Sequence, residues 1–311
     1  MKKRHFAWGA ALLMAASLSF QSCDFLSKVK TGEGADSLDV EDSLVFCTVM
    51  YEDTLTVGQS NLSQSMRADF PTPEATGVLA DSLRAFLAAE IAQNCWPNVG
   101  EGEKMPKQFT YELGKEQEYL GAYAGEGMTL MVSDAQEAAE EGFMAPGFEN
   151  EYNASVVLQT PAYVTYDISH SIYTGGAHGL WLSRSVTFRR SDGHRMGWDL
   201  FDMSKKAEIV EAIKLSLRSY FAFEPENDPI PEQELMDQLQ LWDDPDTPEN
   251  ELEYGIPLPR TAPCVTREGI GYVYQQYEIA AYACGLPSGI LPFDTVRDLL
   301  SDEGRELLGM E

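Results

Sequence analysis

From Tyr152 to Met196 the chain reads YNASVVLQTPAYVTYDISHSIYTGGAHGLWLSRSVTFRRSDGHRM, and this stretch admits little besides β-structure. Val156, Leu158, Tyr163, Tyr166, Ile168 and Tyr173 supply the β-branched and aromatic residues that strands favour. Asp192-Gly193 is a hairpin signal between two such runs. A second strand signal, LVFCTVMYEDTLTV, spans Leu44 to Val57. Elsewhere the apolar period lengthens from two to between three and four. Leu79, Leu83, Phe86, Leu87 and Ile91 predict a helix over Thr76 to Gln93, with Thr76 as N-cap. A second helical region, Lys115 to Glu140, is expected to break near Gly125-Glu126-Gly127. Ser204 should cap a third helix running to Phe221, with Ile209, Ile213, Leu217 and Tyr220 on one face.

Glu224 to Pro259 is acidic and proline-rich, with room for a short helix over Leu235 to Trp242. Cys264 to Leu300 then reads as strand, Glu268-Gly269 turn, strand, loop, strand and a C-terminal helix capped by Asp294. Hairpins and helices come in separate blocks, not in strict alternation. The expected class is therefore α+β, with antiparallel sheet and helices packed on one face.

The N-terminus addresses location. Lys2, Lys3 and Arg4 precede a mostly apolar run from Phe6 to Phe20, and Ser22 precedes Cys23. A basic start, a short apolar run and a small residue at the cut site make an export signal over residues 1–22. The cysteine beside the cut predicts a lipoprotein, acylated on Cys23 and held at the membrane of the bacterial envelope by more than one acyl chain. Residues 23–43 are small and polar and read as a tether. Removal of residues 1–22 takes away three cations and no acid, moving the net charge from -28 to -31. Such a surface repels nucleic acid and attracts cationic partners. In an exported chain the even set Cys47, Cys95, Cys264 and Cys284 permits two disulfides, with Cys264–Cys284 the first choice because the two flank a hairpin-like segment; four free thiols are the alternative.

No stretch carries a decisive catalytic pattern. Gly175-Gly176-Ala177-His178-Gly179 does not continue into the Gly-Lys-Ser/Thr of a phosphate loop and lacks the dinucleotide spacing. His170, His178 and His194 are too few and too irregularly placed to predict a metal site, and no cofactor is expected. A G-x-S-x-G elbow is missing. Cys264 or Cys284 with His178 could pair as nucleophile and base, and a carboxylate-based hydrolase is a further alternative among 50 acids. The cluster Asp243, Asp244, Asp246, Glu249, Glu251 and Glu253 lacks the EF-hand order and reads as a solvated loop before a calcium site. The glycines themselves suit a tight bend at a strand edge, which His178 would fix through local carbonyls.

YTGGAHG, then GWDLFD, then Tyr277-Glu278-Ile279-Ala280-Ala281-Tyr282-Ala283-Cys284-Gly285 ahead of a strand and helix, resemble the RsiV-like family. These are the paired extracellular domains of lysozyme-sensing anti-sigma factors, with similar domains ahead of the catalytic domain of PdaC-type peptidoglycan deacetylases. The resemblance covers Tyr152 to Leu300; Leu44 to Gln159 is similar only in element order. Ala281 stands where proline is common. The resemblance implies an N-terminal half over 44–190, a C-terminal half over 191–311, and a non-enzymatic ectodomain that binds lysozyme or another cationic protein. Signalling by regulated proteolysis is not implied, since no membrane-spanning or sigma-binding segment is found. The expected binding residues are Tyr173, Gly175, Gly176, His178, Gly179, Tyr277, Glu278 and Tyr282. A peptidoglycan-binding module is the other expectation, through sugar stacking on Tyr173, Trp181, Tyr272, Tyr274 or Tyr277.

Overall fold

The computed structural model describes residues 44–96, 106–142, 147–222, 229–241 and 252–310. Residues 1–43, Cys23 included, and most of the acidic cluster from Asp243 to Glu251 lie outside the described residues. Strands β1 (Phe46–Val57) and β2 (Ser60–Pro71) form a hairpin, and helices α1 (Val78–Asn94) and α2 (Glu116–Glu140) follow. Then come β3 (Gly147–Gln159), β4 (Tyr163–Tyr173), β5 (Leu180–Arg189) and the short β6 (Arg195–Met196). The six strands form one sheet in sequence order. All pairs are antiparallel except β2–β3, which is parallel. A parallel pair needs a long crossover, and α1 with α2 supplies it.

Period-two alternation sends Met66, Ala68, Phe70, Tyr152, Ala154, Tyr166, Ile168, Val186 and Phe188 to the face under these helices, against Leu83, Leu87, Ile91, Leu120 and Tyr123. Each valine, leucine, isoleucine, phenylalanine or methionine buried there is worth about 1.5–3 kcal/mol of apolar transfer. The expected break in α2 does not occur. Gly127 lies mid-helix because a Cβ there would sit 2.1 Å from the Cys95 carbonyl oxygen. Close approach to the end of α1 explains that glycine; a break does not. No helix among the described residues is long and apolar enough to cross a membrane.

The C-terminal residues build a second core around α3 (Lys206–Tyr220), α4 (Glu232–Gln238) and a three-stranded sheet of β7 (Cys264–Val265), β8 (Gly269–Val273) and β9 (Ser288–Pro292). Short helices α5 (Phe293–Val296) and α6 (Asp302–Leu308) close the chain. Asp202 caps the turn before α3 in place of Ser204, and Ser301 caps α6. The small sheet meets the other face of the large one at β5, where Thr187 Oγ1 accepts from the Val265 amide at 2.8 Å and Thr165 Oγ1 donates to the Val265 carbonyl at 3.0 Å.

The expected disulfides are not formed: no S–S bond joins Cys47, Cys95, Cys264 and Cys284. Cys264 lies opposite Gly271 in the β7–β8 ladder, whereas Cys284 ends a 3-10 turn whose carbonyl accepts from Tyr220 Oη at 2.7 Å. The thiol of Cys95 donates to the Ala92 carbonyl at the end of α1. Burial pushes the Cys95 and Cys264 thiols up to about 11, so both are poor nucleophiles at neutral pH. A thiol reagent added to a Cys23→Ser variant should label the half-buried Cys47 and Cys284 first, and all four once the protein is denatured without reductant. Two or fewer reactive thiols in that denatured sample would show that bridges form after all.

Candidate functional site

The glycine segment is the turn between β4 and β5. Ile172 pairs with Leu180 at its base. Gly175 adopts φ 84°, and a Cβ on Gly179 would meet the Ile172 carbonyl oxygen at 2.8 Å. Both positions therefore need glycine. Tyr173 Oη donates to the Gly176 carbonyl at 3.0 Å and braces the turn. His178 Nδ1 lies 3.0 Å from the Gly179 carbonyl, which only accepts, so Nδ1 carries the hydrogen. Nε2 then accepts from Tyr277 Oη at 3.0 Å. The imidazole stacks on Tyr282 with ring centroids 3.9 Å apart.

Tyr277 is the only non-glycine described residue with a positive φ, 65°. Such a conformation is uncommon outside glycine and needs support. Glu278 provides it: one carboxylate oxygen accepts from the Gln275 amide at 2.7 Å and the other from the Arg260 amide at 2.6 Å. Glu278 thus organises the loop backbone, and Tyr277 stays about half exposed at 48%.

The same loop closes the open edge of β5. Gln275 accepts from the Ser183 amide at 3.3 Å and donates to the Ser183 carbonyl at 2.8 Å, and Gln276 accepts from the Trp181 amide at 3.1 Å. At the opposite edge, Gln117 of α2 accepts from the Met50 amide at 3.3 Å and donates to its carbonyl at 2.8 Å. Side-chain amides therefore occupy outward-facing peptides at both edges, which protects them from pairing with another chain.

Beside the loop lies a groove of about 420 Å³ between β5 and the small sheet. Ser183, Ser185, Cys264 and Ser288 are among its lining residues, with Tyr220 and the exposed Trp181 at 52%. The face of the large sheet turned away from α1 and α2 is polar across β1 to β5. One row reads Glu52, Ser65, Glu151, Ser171, Trp181, and the next Met50, Arg67, Asn153, Ser169, Ser183. Glu52, Glu149, Glu151 and Ser171 are exposed there, and Asp167 is half-buried. Arg67 is committed to Asp69 at 3.1 Å and to Asn153 at 3.0 Å. No described cation pairs with the other four carboxylates of this face.

A solved structure of a DUF3298 family member from Bacteroides fragilis shares this architecture with a TM-score of 0.63 at 17% identity, over 87% of this chain and 98% of its own. The two chains share one fold. A DUF3298 family protein from Pseudomonas aeruginosa is also similar, with a TM-score of 0.49 at 13% identity over 83% of this chain and 95% of its own. No family model and no curated protein matches the sequence. Identities this low establish the fold alone; it is consistent with the RsiV-like architecture.

Within this fold, Tyr173, Gly175, Gly176, His178, Gly179, Tyr277, Glu278 and Tyr282 form one connected rim, joined by His178. Of the aromatic residues that could stack on sugars, Tyr272 and Tyr274 are buried at 5% and 0%, and Trp181 and Tyr277 are exposed. Gln275 and Gln276 were not expected, because an edge plug has no periodic signature. A buried polar group was also missed. Gln64, Asn150 and His170 interrupt apolar faces at period two, and that interruption was a legible sign. Gln64 donates to the Cys95 carbonyl at 2.9 Å, and Asn150 to the same oxygen at 3.1 Å. Together they satisfy the C-terminal end of α1.

Proposed function

We propose that this chain is a non-catalytic ligand-binding domain of the bacterial cell envelope, lipid-anchored through Cys23, that captures a cationic protein on its open sheet face. The observation that carries the reading is that face itself: Glu52, Glu149, Glu151 and Asp167 share it with one arginine, Arg67, already paired with Asp69. It sits on a chain of net charge -28, which speeds encounter with cations that come within about a Debye length. The resemblance names lysozyme as the first candidate. A non-catalytic role fits the groove, where Cys264 has its thiol pushed up to about 11 and no histidine is among the described lining residues.

A second reading, a cell-wall glycan ligand, draws on the exposed Trp181 at the edge of a groove that also carries serine hydroxyls. An indole face with nearby hydroxyls suits the apolar and polar sides of a sugar.

The test is binding of immobilised mature protein to lysozyme at ~0.15 M salt, where the Debye length is about 8 Å, with cytochrome c as a cation of unrelated shape. Saturable binding to lysozyme alone is expected. Equal, salt-labile binding of both proteins would reduce the reading to nonspecific charge pairing. Co-sedimentation with purified peptidoglycan that is lost in Trp181→Ala, without lysozyme binding, would select the glycan.

A further inference from the structure

Behind β5, on the side of α1, lies a second and smaller cavity of about 70 Å³. Its floor is made by Tyr152 and His170, cross-strand partners exposed by only 1% and 4%. Arg184, ion-paired with Glu90, forms one wall, and the half-buried Thr261 and Gln275 stand at the mouth. At ~30 Å³ per water, the space holds about two waters or the hydroxymethyl end of a larger molecule.

Three buried polar atoms around this cavity have no hydrogen-bond partner: Tyr152 Oη, His170 Nδ1 and Arg184 Nε. Native structures rarely leave such atoms unsatisfied, because each costs about 1–3 kcal/mol. Their roles follow from the neighbours. The Asn150 amide nitrogen donates to the carbonyls of Asn94 at 3.3 Å and Cys95 at 3.1 Å, so its oxygen must be the atom 2.7 Å from His170 Nε2. Nε2 therefore donates, and Nδ1 is left with a bare lone pair. The cavity thus offers two donors, Tyr152 O–H and Arg184 Nε–H, and one acceptor, His170 Nδ1.

A fully deprotonated anion cannot donate to Nδ1, and an ammonium group cannot accept from the tyrosine and the arginine. A hydroxyl accepts twice and donates once, which meets the demand in full. We propose that this cavity is a binding site for a hydroxyl group of a neutral polyol or sugar. The site lies across β5 from the groove and does not rest on the function proposed above.

Saturation-transfer NMR with glycerol and methyl glucoside as probes tests it on the mature protein. Tyr152→Phe deletes one donor and keeps the ring. Arg184→Lys deletes Nε–H and keeps a positive charge beside Glu90. Each should weaken binding of a probe about tenfold, while Trp181→Ala leaves it unchanged. Tyr152→Phe should also keep or raise the thermal midpoint, since it removes an unsatisfied buried hydroxyl. No transfer to either probe in the wild-type protein, equal transfer in Tyr152→Phe and Arg184→Lys, or loss only in Trp181→Ala would each overturn the assignment.

Discussion

Lowering the pH from 6.5 to 4 should cost the folded protein about 3 kcal/mol through His170 alone. Burial first, and the Arg184 charge second, bring this imidazole down from 6.5 to about 4. In that window the unfolded chain binds a proton that the folded chain refuses, so stability falls as acid is added. Well above 6.5 both states are neutral and the contribution is flat. The facing groups are Tyr152 on β3, Asn150 beside it, Arg184 on β5 and Glu90 on α1. Glu90 acts with the opposite sign. Burial raises its carboxyl above the ordinary value despite Arg184, so its protonation in the same range partly offsets the histidine. The histidine contribution is isolated by difference. His170→Phe loses the bond to Asn150 at every pH, but its urea midpoint should fall less steeply than the wild type's between pH 6.5 and 4. Parallel slopes for the two proteins would mean that His170 is protonated or hydrated in the native state.

This histidine also shows what sequence could and could not convey. Strand β4 was legible because its aromatic and β-branched residues alternate, and α1 because Leu79, Leu83, Leu87 and Ile91 share a stripe that does become buried. Strand β2 was not anticipated. Its buried face includes Gln64, and its other face is serine, arginine and aspartate, which have weak strand preferences. Its identity is fixed by partners on both sides, which are remote in the chain. The parallel β2–β3 pairing was hidden for the same reason. Of the site, the two loops were visible as glycine and tyrosine motifs, but their junction through His178 and Tyr277 depends on a contact across 99 positions. The acidic sheet face was the least legible. Each strand contributes only one or two carboxylates, and they become a patch only when register aligns Ser65 with Glu151 and Glu151 with Ser171.

That patch carries the largest binding effect expected. A protein with Glu52→Gln, Glu149→Gln, Glu151→Gln and Asp167→Asn should associate with a cationic partner about 10–100-fold more slowly at low salt. Steering depends on where charge lies as well as on how much there is. The matching control therefore removes four carboxylates away from the face: Glu118, Glu208, Glu234 and Asp298, all exposed. Both variants change the net charge equally, so a loss confined to the first assigns recognition to the open face. The difference should close near 1 M salt, where the Debye length is about 3 Å and the remaining contacts set affinity. Thermal midpoints should stay close to the wild type's, because the three exposed glutamates lack ion pairs among the described residues and contribute within about 0.5 kcal/mol each, and the half-buried Asp167→Asn keeps an oxygen that can accept from Ser185 Oγ. Equal slowing by both variants would leave only the overall charge as the attraction. Unchanged association by the first would detach the partner from this face altogether and move attention to the rim of Trp181, His178 and Tyr277.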